Sequence, residues 1–221
     1  MANVVNMTEL MKHLTGNIYT EGDNEPLSSS ETENLVEMIS NGSKLCFDER
    51  YNGLYIMVDD DDTEYHLCDS RDKTAEILNL FGKVMHGFVY LNEFIFDSCF
   101  PREISWFWLE DVPYFLKKMT IPVLCDMHPD LTEGLDELVL TFSYDQELKP
   151  CKENKETQDE AKDSKYNVLG GMKTNEGEIP IYTLIKKVVF LTKSTPPEES
   201  EDMKVLKTRF PDSELVFNGD F

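Results

Sequence analysis

Apolar residues in this chain recur at helical spacing in some stretches and alternate with polar ones in others, and that contrast sets out the expected elements. From residue 71 to 98, Ile77, Phe81, Val84, Phe88, Leu91 and Ile95 repeat at steps of four and three. Leu78, Met85, Val89 and Phe96 widen that face, while Glu76, Asn79, Lys83, His86, Tyr90, Glu93 and Asp97 form a more polar stripe opposite. The spacing predicts one long central helix, capped by Ser70 or Asp69 and stopped by Phe100-Pro101. Leu138, Leu140, Phe142 and Tyr144 alternate with Val139, Thr141 and Ser143, which predicts a strand. From Pro180 to Lys193, the residues Ile181, Leu184, Ile185, Val188 and Leu191 predict a later helix with Pro180 in its first turn, ended by Pro196-Pro197. Met203 to Phe210 and Glu214 to Phe217 read as closing strands.

The remaining elements are shorter. Val5, Leu10, Met11 and Leu14 give a first helix a weak apolar face, broken at Gly22 to Pro26. Ser30, with Thr32 and Glu33, supplies cap chemistry for a second helix around Glu31 to Ile39. Residues 43–68 read as a small antiparallel unit turning at Asn52-Gly53, with Asp59 to Asp62 as a second turn and Tyr65 to Cys68 as a third strand. Pro113 interrupts the segment from Ile104 to Lys118, and Thr120 to Cys125 suits a strand weakened by Pro122. Residues 145–178, dense in charge, read as a mobile loop. No internal repeat is evident. The pattern predicts an α+β chain: an N-terminal extension over 1–70 and a main domain over 71–221.

Composition narrows the function classes. A formal charge of −22 repels a phosphate backbone, so direct nucleic-acid binding is not expected. The same charge admits two readings, a solvated acidic surface or an acidic mimic of nucleic acid that occupies a basic partner. No apolar run reaches the length of a membrane span, and Met1 to Leu14 has no basic start and apolar core of a secretory leader. The odd, widely spaced set Cys46, Cys68, Cys99, Cys125 and Cys151 suits reduced thiols.

Chemistry-bearing motifs are sparse. The chain has no phosphate-binding glycine loop, dinucleotide fingerprint or nucleophile elbow. Cys125-x-x-His128 and His66-x-Cys68 are the close metal-type pairs, but they lie far apart without finger or ribbon spacing. Asp59 to Asp62 lacks the calcium-loop spacing. No catalytic, cofactor or metal residues are assigned, and no enzyme is expected.

The order of parts from residue 71 resembles a HORMA domain of the meiotic chromosome-axis branch. Thr74 to Phe96, reaching Phe100-Pro101, is similar to that family's first long helix, and Trp108-Leu109-Glu110 to its tryptophan-containing second helix. Tyr114 to Leu124 is similar to the strand behind them, and Glu137 to Asp145 to the family's aromatic-rich strand before a charged loop. Leu184 to Pro197 is similar to the third helix and its exit, and Met203 to Asp212 to the following strand. Two features depart from the family: the connection from Pro101 to Trp108 is short, and the sequence stops near where the family's C-terminal safety belt begins.

The resemblance implies an antiparallel sheet packed on the long central helix and the later helix. It also implies a peptide-binding adaptor in the meiotic axis, synapsis or a checkpoint, located on chromosomes in the nucleus. The expected partner is a protein, held through a short peptide motif added to a sheet edge, with HORMA self-association as a further possibility. The candidate edge is Met203, Lys204, Val205, Lys207 and Arg209, whose cations suit an acidic peptide or guard the edge. No cofactor, nucleic acid or membrane partner is expected.

Overall fold

A computed structural model describes residues 2–50, 53–59, 63–68, 71–98, 115–121, 134–140, 181–191 and 195–218. The fold is mixed α/β, with four helices and nine strands among the described residues. The chain divides into two compact units, 1–120 and 121–221.

The first unit opens with α1 (Ala2–Leu14), β1 (Ile18–Thr20) and α2 (Ser29–Asn41). Leu10 and Leu14 of α1 are buried, as expected of its apolar face. Helix α2 begins two residues earlier than expected. Ser28 caps it, and Ser28 and Glu31 close a reciprocal capping box. That start turns Thr32, Leu35, Val36 and Ile39 inward.

The antiparallel unit expected over 43–68 is present as β2 (Lys44–Arg50), β3 (Gly53–Val58) and β4 (Tyr65–Cys68). Arg50 faces Gly53 across the hairpin, so the connection is 51–52, outside the described residues, rather than Asn52-Gly53. Gly53 has φ of 144°, and a Cβ there would lie 2.2 Å from the Leu67 carbonyl oxygen, so a side chain does not fit. β1 completes this edge by pairing with β4.

The long central helix is shorter than its pattern. α3 runs Arg71–Val84, a 3-10 turn covers Met85–Gly87, and β5 spans Glu93–Ser98. The helical spacing of Leu91 and Ile95 competes with an alternating pattern two residues apart. Phe94 and Phe96 are fully buried, Ile95 is half-buried and Asp97 is exposed. Alternation prevails because β5 pairs in parallel with β2 on one side and with β6 (Lys118–Ile121) on the other. β2 thereby joins residues before and after position 70 in one unit. Phe47 of β2 packs edge-on against Phe81 of α3 at 4.9 Å and Phe94 at 5.7 Å, which places α3 over the sheet face holding Leu45 and Phe47.

The second unit contains β7 (Glu137–Leu140), β8 (Lys187–Leu191), α4 (Glu201–Arg209) and β9 (Glu214–Asn218). Its strands are all parallel, β7 to β8 and β8 to β9. The antiparallel sheet implied by the resemblance is therefore corrected to a mixed arrangement. The later helix expected at Pro180 to Lys193 is corrected too, because Lys187–Leu191 is strand. Val188, Val189 and Phe190 are consecutively buried, the mark of a parallel strand covered on both faces. The closing strand expected at Met203 to Phe210 is helix α4 instead. Ser200 caps it by accepting from the Met203 amide, and Met203, Leu206 and Phe210 form its buried face. The expected strand at Glu214 to Phe217 is β9. Residues 141–144, 122–125 and 145–178 lie outside the described residues.

A row of alternating charges marks the start of each parallel strand. Lys44 faces Glu93, which faces Lys118, and Glu93 and Lys118 form an ion pair at 3.0 Å. In the second unit Glu137 faces Lys187, which faces Glu214, with Lys187 Nζ 2.6 Å from Glu137. The strands adjoining in each row follow at steps of 49 and 25 residues (44 to 93 to 118) and of 50 and 27 (137 to 187 to 214). Each step preserves the phase of charge first, apolar second.

Loop chemistry fixes where the strands begin. The Asp59 carboxylate accepts from the Ser43 amide and hydroxyl, both at 2.8 Å, and from the Lys44 amide at 2.9 Å. The Ser43 carbonyl in turn accepts from the amides of Asn92 and Glu93. Burial acts upward on the Asp59 carboxyl, but the hydrogen bonds from Ser43 and Lys44 together outweigh it and hold it below the ordinary range. Glu64 is lowered chiefly by the Arg50 guanidinium, which reaches both its oxygens at 3.1 Å.

Two predictions follow from these contacts. Replacing Glu93→Lys sets a like charge between Lys44 and Lys118 and costs roughly 1 kcal/mol in urea unfolding, with partial recovery on adding Lys118→Glu; an unchanged midpoint contradicts the row. Because Asp59 and Glu64 are lowered in the folded chain, the unfolded chain binds more protons between the folded and ordinary values. Their contribution is therefore complete above the ordinary carboxyl range and is lost as pH falls through the folded values. Urea midpoints measured downward from pH 7 should drop below about pH 4, and less steeply in Glu64→Gln.

Candidate functional site

The candidate edge Met203 to Arg209 is placed on α4, a helix and not a strand. It offers no edge for an added strand. Its members also part company: Met203 and Arg209 are buried, Val205 is half-buried, and only Lys204 and Lys207 are exposed. Arg209 belongs to the core around Tyr182 and Phe210, whose rings stack at 5.4 Å, and its carbonyl accepts from the Tyr182 amide at 2.7 Å. Lys207 lies 3.8 Å from Glu198.

An edge exists one element later. β9 pairs with β8, and no other described strand pairs with it. Its register sets Leu215 beside Val188, Val216 beside Val189 and Phe217 beside Phe190. In β8 these positions are 0%, 8% and 2% exposed, whereas Leu215, Val216 and Phe217 are all half-buried. The Phe217 ring stacks on Phe190 at 5.0 Å, so the strand is anchored from one side and left apolar on its outer portions. Asp212 and Glu214 at its start are exposed carboxylates. The sequence did name Glu214 to Phe217 as a strand. It carried no sign that this strand, rather than the one expected before it, would be the edge.

Of the two metal-type pairs, the His66 side chain is the one described. The His66 ring stacks on Tyr55 at 4.7 Å, and the Arg50 guanidinium sits 3.9 Å above the same Tyr55 ring. This is a packed column of Arg, Tyr and His, held by Asp48 and Glu64 on Arg50. Among the described residues no group of three His, Cys, Asp or Glu side chains converges to hold a metal. Cys125 and His128 lie outside the described residues, as does the Cys68 side chain. Burial, with Asp48 and Asp97 nearby, pushes the Cys46 thiol up to about 11, so it stays a protonated, poorly nucleophilic group at neutral pH. No described helix is long and apolar enough to cross a membrane.

No protein-family model matches the chain, and no curated protein or solved structure matches it.

Proposed function

We propose that this chain is a non-catalytic protein-interaction module that takes an extended segment of a partner as an added strand on β9. The observation that carries the reading is the half-buried apolar run Leu215-Val216-Phe217 on a strand that pairs with β8 alone among the described strands. Such an edge supplies main-chain hydrogen bonds for affinity, and the side chains beside it supply selectivity. Exposed Asp212 and Glu214, in a chain of charge −22, favour a segment that alternates apolar and basic residues.

Peptide capture by strand addition is retained from the HORMA-type reading, with the edge moved from Met203–Arg209 to β9. The HORMA assignment itself, with its meiotic, nuclear and self-associating form, rests on the sequence resemblance alone. The helix and strand order departs from that family at residues 85–98, 187–191 and 203–209. The alternative of an acidic mimic calls for a run of like-signed carboxylates. The lysines interleaved at Lys44, Lys118 and Lys187 speak against it.

A synthetic heptapeptide alternating Val and Lys tests the proposal by titration. It should bind saturably, slow amide exchange over 214–218 and weaken with salt. N-methylating alternate amides keeps the side chains but removes main-chain donors, and should weaken binding about tenfold or more. Equal binding by the methylated peptide, or no binding by either while the fold is intact, contradicts strand addition.

A further inference from the structure

The hydrogen-bonding phase of β9 is fixed by its first residue. The Lys187 amide donates to the Asp136 carbonyl on the β7 side, whereas the Lys186 carbonyl accepts from the Glu214 amide at 2.9 Å. Main-chain groups of successive strand residues point to alternate sides. With Lys187 beside Glu214 and Val189 beside Val216, the amides and carbonyls of Glu214, Val216 and Asn218 turn toward β8. Those of Leu215 and Phe217 turn away from it, so the outer side of β9 presents four main-chain groups on two residues. The entry to the strand is pinned, because the Ser213 hydroxyl donates to the Ile185 carbonyl at 2.6 Å.

Side-chain chemistry follows the same phase. Leu215 and Phe217 share the face of Val188 and Phe190, where Phe210 lies edge-on to Phe190 at 6.4 Å. Glu214 belongs to the other face with Val216 and is exposed. It ends the alternating row Glu137, Lys187, Glu214. Lys187 is bonded to Glu137 at 2.6 Å, and among the described strands none lies beyond Glu214 to continue the alternation.

Taking strand addition at β9 as its basis, we infer that the added segment runs antiparallel and carries, in order, an apolar residue, any residue, an apolar residue and a Lys or Arg. The count of outward groups sets the direction. An antiparallel partner exchanges both bonds with Leu215 through one residue and both with Phe217 through another, so three partner residues engage all four groups. A parallel partner needs five to reach the same groups, at a greater cost in chain ordering and with slightly weaker pairing per residue. Glu214 sets the position of the cation. Its own main chain faces β8, so the partner residue opposite it forms a non-hydrogen-bonded pair, the kind in which side chains approach most closely. A cation there continues the row by one place, and the two apolar residues cover Leu215 and Phe217.

The test titrates the full chain with the peptide Thr-Val-Thr-Val-Lys-Thr and with the same residues in reverse order. The first should bind more tightly, and should slow exchange of the Leu215 and Phe217 amides more than that of Val216, which is already bonded to β8. N-methylation of its two Val residues should weaken binding about tenfold or more, and N-methylation of the Thr between them should not. Glu214→Gln should reduce affinity about threefold to fivefold without moving the unfolding midpoint. Glu214→Lys should reverse the preference, favouring the peptide with Glu in place of Lys. Tighter binding of the reversed peptide, or sensitivity to methylation at the central Thr alone, overturns the inference while leaving strand addition standing. Failure of both peptides to bind the folded chain overturns both. Binding of the first peptide that ignores Glu214→Gln and Glu214→Lys removes the cation rule and overturns the inference as well.

Discussion

The structure depends on holding parallel strands in one register, with apolar side chains inward at the same phase. A slip of one residue would send Leu45 and Phe47, or Phe94 and Phe96, to the opposite face and bring charge into the core. Two kinds of interaction oppose that slip. Aromatic packing of Phe47 against Phe81 and Phe94 rewards the correct phase from within. The alternating lysines and glutamates at the strand starts penalise a wrong one from outside, each modest in water but repeated along the row. Asp59 then sets where β2 starts, by binding the amides of Ser43 and Lys44.

Elements with strong local chemistry were legible in the sequence. The α2 helix, the antiparallel strands over 43–68, the helix beginning near residue 71 and the strand at Glu214 to Phe217 all follow from caps, turns and periodicity. The failures have separate causes. A strand buried on both faces loses the alternation that identifies it, and a continuous run such as Val188-Val189-Phe190 satisfies a helical template equally well. The segment at Leu91 to Phe96 carried both periods at once, and pairing with β2 and β6 decided between them. Met203 to Arg209 was ambiguous for the converse reason. Its short apolar face, Met203 and Leu206, says little until Ser200 is seen to cap it.

The charge rows were invisible for a different reason. Lys44, Glu93 and Lys118 are ordinary surface residues until pairing across long separations brings them side by side. The same holds for the candidate surface. β9 is an edge among the described strands because it pairs with β8 alone. Local sequence names such residues; topology gives them their neighbours.

Cross-strand NOEs in the uniformly labelled chain test the parallel register most directly. The account predicts parallel-type contacts joining 93–95 to 118–120 and 187–191 to 214–218. Helical sequential contacts over 187–191, or close Hα–Hα contacts of antiparallel kind between these segments, would contradict it.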